Sequence, residues 1–195
     1  MQKFNWFTYI PKQHSIGNLR SPTSSKTAVN VHNLIEDAVA RYIVEARQKS
    51  IHLGLEGQTG KAIVWGDEQQ LVEMIDVMIR NALNQTLEGY IKVHLEESAA
   101  YYGLTVIDSG LGIGPDQNIF HTTKEFKGRP CRIMHITDPT SKLGSIKDLV
   151  SAHQGYLELS VEPGVGTARR LWLPAISQIE MTKGSYQTDL QASKQ

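Results

Sequence analysis

Residues 104–116 read LTVIDSGLGIGPD, and the change inside them from an apolar run to a glycine-rich loop decides the fold. Leu104 to Ile107 form a strand-like run that delivers Asp108 into a loop carrying Gly110, Gly112 and Gly114. Only glycine reaches positive φ freely and lets a ligand lie against the backbone. An aspartate at a strand end before such a loop marks either a tight turn or one wall of a nucleotide pocket. The flanking sequence has to separate the two.

The bulk properties are those of a soluble globular chain. There are 195 residues, 40% hydrophobic and 21% charged, enough for one domain with a real core. Twenty basic residues balance twenty acidic ones, so no global charge argues for nucleic acid or an anionic membrane. The lone Cys131 excludes an internal disulfide and fits a reducing compartment. No apolar run approaches the ~20 residues needed to span a bilayer. The N-terminus lacks the apolar stretch of a signal peptide. These features predict a cytoplasmic chain without membrane contact of its own, within a parent protein that is free to be membrane-anchored.

Outward from the quoted stretch, patterning predicts alternating helices and strands. Residues 1–28 end in the breaker-rich Ser21-Pro22-Thr23-Ser24-Ser25 and read as an arm or linker. Asn33 and Glu36 have capping-box-like spacing before an apolar face of Ile35, Ala38, Val39, Tyr42, Ile43 and Ala46. Ile51, Leu53 and Leu55 alternate as a strand, with Ala62–Trp65 as its expected neighbour. Asp67 and Gln70 offer a second cap, before a stripe of Leu71, Ile75, Met78, Ile79 and Ala82.

Strands are expected at 90–95 and 104–108, and a third helix over Ser145–His153. Two closing strands follow at 156–161 and 168–173. Residues 114–142 lack periodicity, carry Lys124, Lys127, Arg129 and Arg132, and read as a long mobile loop. The expected domain is 29–174, with a frayed tail over 175–195. The predicted fold is α/β, a two-layer sandwich of one mixed β-sheet with helices on one face.

Four segments stand in order: RNALNQT (80–86), DSGLGIG (108–114), SIKDLVSAHQG (145–155) and EPGVGTARRLWLP (162–174). Together they resemble the ATP-binding domain of sensor histidine kinases, in the superfamily that includes gyrase, Hsp90 and MutL. The resemblance covers about residues 29–174 and implies the Bergerat ATP-binding fold. It implies that ATP or ADP binds with Mg²⁺, and that the γ-phosphoryl passes to a histidine on a separate helical domain. The chain itself would bind and position the nucleotide, with no catalytic residue of its own.

On this resemblance Asp108 reads the exocyclic amine of adenine, while Gly110 and Gly112 turn the chain under the base. Thr167 hydrogen-bonds beside it. Asn81 offers an amide oxygen, a hard ligand suited to Mg²⁺. His153 reads as a structural helix-end residue, where positive charge is favourable.

The pattern departs from the family on the phosphate side. Val77 stands where a second polar metal-site residue is usual, and Asn84 where a lysine or arginine is usual. Asp138-Pro139-Thr140-Ser141-Lys142-Leu143 replaces a glycine run that holds phosphates through backbone N–H groups. Lys142 would substitute a point charge for those amides. GNLRSP (17–22) is similar to the phosphoacceptor box, but has Gly17 where the histidine belongs. The phosphoacceptor is therefore expected on another segment. Two readings stay open: an ATP-binding kinase domain whose partner is a phosphoacceptor histidine domain, or a non-catalytic relative that signals through another protein.

Overall fold

The computed structural model describes residues 7–9, 26–57, 60–98, 100–110, 119–126, 129–136, 146–162 and 165–176. Strands are β1 (Phe7–Tyr9), β2 (Thr27–Asn30), β3 (Ile51–Gly57), β4 (Ile63–Gly66), β5 (Gly89–Ser98) and β6 (Tyr101–Asp108). Then come β7 (Ile119–Phe126), β8 (Arg129–Ile136), β9 (Tyr156–Glu162) and β10 (Gly166–Pro174). Helices are α1 (Val31–Gln48), α2 (Glu68–Gln85) and α3 (Lys147–Ala152).

The main sheet runs β3-β5-β6-β10-β9-β1-β8-β7. It is mixed, as expected: β3 pairs parallel with β5 and β1 with β8, and the other neighbours are antiparallel. Period-two alternation puts Ile91, Val93 and Leu95 on the face shared by Leu104, Val106, Leu157 and Leu171. That face meets the buried stripe of α2, in which Leu71, Ile75, Met78, Ile79 and Ala82 are all fully buried. Ile35, Ala38 and Ala46 of α1 complete the helical layer. The expected two-layer α/β arrangement is what the chain adopts.

Four local expectations are corrected. Helix α1 starts at Val31 and is capped by Asn30, whose side-chain oxygen accepts from the N–H groups of His32 at 3.3 Å and Ala62 at 3.1 Å. Asn33 lies inside the helix; one asparagine upstream wins because it also satisfies the chain entering β4. Strand β4 does not flank β3. It pairs with β2 in a separate two-stranded sheet, with Val29 opposite Val64.

The 114–142 stretch is no continuous loop, since β7 and β8 form a hairpin in the main sheet. Strand β1, from the segment read as arm, joins that hairpin to β9. Both strands lack a clean alternation of apolar and polar residues, which is why periodicity passed over them. The α2 cap stands as read: Asp67 accepts from Gln70 N–H at 3.1 Å.

Helix α3 is held by His153. Its Nδ1 donates to the Leu149 carbonyl at 2.7 Å, so Nε2 is free to accept the Asp67 N–H at 3.1 Å. The ring thereby ties the end of α3 to the start of α2. It has the structural role expected, as a neutral linker: burial, the largest effect, pushes its pKa below the usual imidazole value.

A base whose folded pKa is depressed contributes stability that is full above its unfolded pKa. That contribution is lost as pH falls below it toward the folded value. Chemical denaturation of the wild-type chain should therefore show falling stability from about pH 7.5 to about pH 5.5, with the slope reduced in His153→Gln. Ile79→Ala, at the centre of the sealed α2 stripe, should cost about 2–5 kcal/mol in the same measurement.

Candidate functional site

Strand β6 ends at Asp108, and β10 begins beside it. The register sets Thr167 opposite Asp108, Arg169 opposite Val106 and Leu171 opposite Leu104. Thr167, Arg169 and Leu171 therefore share the inward face of β10, and Arg170 takes the outer one. Arg170 reaches Glu158, Glu96 and Thr105 and lies over the Trp172 ring. Adjacent arginines in the sequence thus serve opposite faces of the sheet.

The Asp108 side chain is 0% exposed and that of Arg169 3%. Asp108 Oδ1 accepts from the N–H groups of Gly110 at 3.1 Å and Thr167 at 3.3 Å. Oδ2 accepts from Arg169 Nη1, and Arg169 Nη2 donates to Gln85 Oε1. The last turn of α2, the end of β6 and the start of β10 therefore meet on one buried ion pair. Thr86 fixes that last turn, its hydroxyl donating to the Ala82 carbonyl at 2.8 Å.

Two glycines are required by this closeness. A Cβ on Gly110 would collide with the Gln85 carbonyl, and one on Gly166 with the Asp108 carbonyl. Gly166 also sits at φ +145°, a conformation that L side chains rarely adopt. In this structure Gly110 lets the DSG turn press against α2.

Of the residues expected at the site, Asp108, Gly110 and Thr167 come together. Asn81 lies half-buried on α2, one turn before Gln85 and so on the same side of the helix. Gly112, Lys142 and the run 138–143 lie outside the described residues. Val77 packs against the hydrophobic core, and Asn84 is exposed. Among the described residues no cluster of three or more His, Cys, Asp or Glu side chains could hold a metal. No helix among them is long and apolar enough to cross a membrane.

The residues fit an adenine in part. Thr167 Oγ1 is buried without a hydrogen-bond partner among the described residues, which a ligand at Asp108 would supply. The carboxylate itself has both oxygens engaged by the protein. Sequence reasoning missed Arg169 and Gln85. The inward face of β10 is mixed, polar at Thr167 and apolar at Leu171 and Leu173, so no local signal set Arg169 apart from Arg170.

The sequence profile of the histidine kinase-, DNA gyrase B- and HSP90-like ATPases matches residues 66–177. The chain is 28% identical over 151 residues to the sensor protein DivL of Caulobacter vibrioides, covering 77% of this chain and 19% of that protein. It is 24% identical over 151 residues to the sensor-like histidine kinase SenX3 of Mycobacterium tuberculosis, covering 77% and 37%. The chain thus spans well under half the length of these curated relatives.

Among solved structures, the catalytic domain of histidine kinase ThkA superposes with a TM-score of 0.61 at 19% identity, covering 77% of this chain and 97% of that one. Full-length ShkA in complex with AMPPNP gives 0.60 at 19% identity, covering 77% and 31%. These likenesses show the shared fold. The profile match takes in more than half of the chain, and the chain therefore belongs to the histidine kinase-, DNA gyrase B- and HSP90-like ATPase family, with sensor histidine kinases among its relatives.

Proposed function

We propose that this chain is the ATP-binding domain of a two-component sensor histidine kinase, on the cytoplasmic side. In this reading it binds adenine nucleotide at Asp108 and Thr167 and presents it to a histidine on a separate helical domain. The observation that carries the reading is the hydroxyl of Thr167, which has no partner among the described residues and is buried in register with the buried carboxylate of Asp108. A buried hydroxyl without a partner costs stability, and a ligand that hydrogen-bonds there removes the cost. ADP bound in a relative's fold would bring such a partner; bound ATP supplies the phosphoryl group to be transferred.

Asn81 is the proposed Mg²⁺ ligand. Mg²⁺ keeps several waters and takes the remainder of its shell from phosphates and one or two protein oxygens, so a single amide oxygen suffices as the protein's share. Gly110 holds the turn that carries Asp108. Gly112 and Lys142 are proposed on the loop side, beneath the base and near the phosphates respectively.

Calorimetric titration with ADP and ATP, with and without Mg²⁺, tests the reading. Thr167→Val should weaken ADP binding about fivefold to tenfold, a neutral hydrogen bond's worth, while the free protein is as stable as wild type or more so. Equal ADP affinity in the two chains would remove Thr167 from the site. Asn81→Ala should abolish the difference between ATP affinities with and without Mg²⁺; a magnesium effect that persists in this variant would place the metal elsewhere.

A further inference from the structure

Resting on that reading, we infer that Arg169 is an internal competitor for the base: its guanidinium occupies the Asp108 oxygen that an adenine amine needs, and this occupation sets the chain's nucleotide affinity. Among the described residues, Asp108 makes three polar contacts. Two backbone N–H groups, from Gly110 and Thr167, converge on Oδ1 and come from the turn and strand that define the site. Oδ2 is held by Arg169 alone among the described residues. A base amine approaching this carboxylate therefore meets Arg169 at the oxygen that the backbone leaves open.

Arg169 is also held from its other end. Gln85 Oε1 accepts from Nη2, and Gln85 sits on the last turn of α2, one turn beyond Asn81. Displacing the guanidinium thus breaks two hydrogen bonds, one of them charge-assisted on both sides. The burial of Arg169 among the inward residues of β10 means that its departure also requires rehydration. Thr167, one inward position away, has no partner for its hydroxyl among the described residues. One polar group of the site is satisfied internally and its neighbour is left open, so the pocket is partly self-liganded. Occupancy by nucleotide and the Arg169–Asp108 pair exclude each other.

The test is ADP titration by calorimetry of the full chain and two variants, Arg169→Met and Arg169→Gln, each checked for folding by circular dichroism. Methionine matches the length of the stem and removes the donor. Glutamine keeps a neutral donor for Asp108, so the carboxylate is not left without a partner on Oδ2. The expected result is ADP binding on the order of tenfold to a hundredfold tighter in Arg169→Met, and severalfold tighter in Arg169→Gln.

A second readout uses the wild-type chain: the Arg169 guanidinium protons, observed by NMR, should be protected in the free protein and lose protection as ADP is added. Measurable wild-type affinity with no gain in either variant overturns the inference and leaves the nucleotide reading standing, as does protection that survives saturation with ADP. Absence of binding at millimolar ADP in wild type and variants alike overturns both.

Discussion

A carboxylate and a guanidinium buried together at the end of β6 hold three elements in place. The Asp108–Arg169 pair joins the neighbouring strands β6 and β10, and Gln85 extends it to α2. Taking both charges out of water is costly. Removing one partner of such a pair typically destabilises a protein by about 3–5 kcal/mol, because the other charge is left uncompensated. The surrounding geometry follows from this constraint. Gly110 and Gly166 have no side chains because the backbone must close around the carboxylate, and two N–H groups aim at the oxygen that Arg169 does not use.

The same pair links structure to function. The carboxylate proposed to read a purine is here engaged by the protein's own arginine. The hydroxyl of the adjoining threonine has no partner among the described residues. A site of this kind stores part of its recognition chemistry as an internal contact, so that ligand binding becomes an exchange of partners. Gln85 and Asn81 share one side of α2, which places the arginine's second anchor one helical turn from the proposed metal ligand. Movement at the end of α2 would therefore be felt both at the base and on the phosphate side.

Much of the fold was legible. The stripe from Leu71 to Ala82 has strict helical spacing, and all five of its residues are sealed against the sheet. The strands expected at 90–95 and 104–108 lie within β5 and β6. The errors fell where local pattern carries less information. Asn30 and Asn33 both suit a helix start, and only the nearby Ala62 N–H, supplied by another element, decides between them. The β7–β8 hairpin and β1 gain their order from pairing with each other and with β9. His153 was read from its place at a helix end, while its burial and its hydrogen bond from the Asp67 N–H, 86 residues away in the chain, come from the tertiary fold.

By itself the sequence determined the layered α/β architecture, the family, and the positions of Asp108, Gly110 and Thr167, because periodicity and motif spacing are local properties. It could not decide what Asp108 touches. Arg169 and Arg170 are the same residue side by side, and nothing in their order says that one enters the core while the other lies over Trp172. Strand register decides that, by setting Arg169 two residues inward of the Thr167–Asp108 pair on the face that meets α2. The state of the recognition carboxylate is thus a tertiary property, fixed where three distant segments converge out of reach of water.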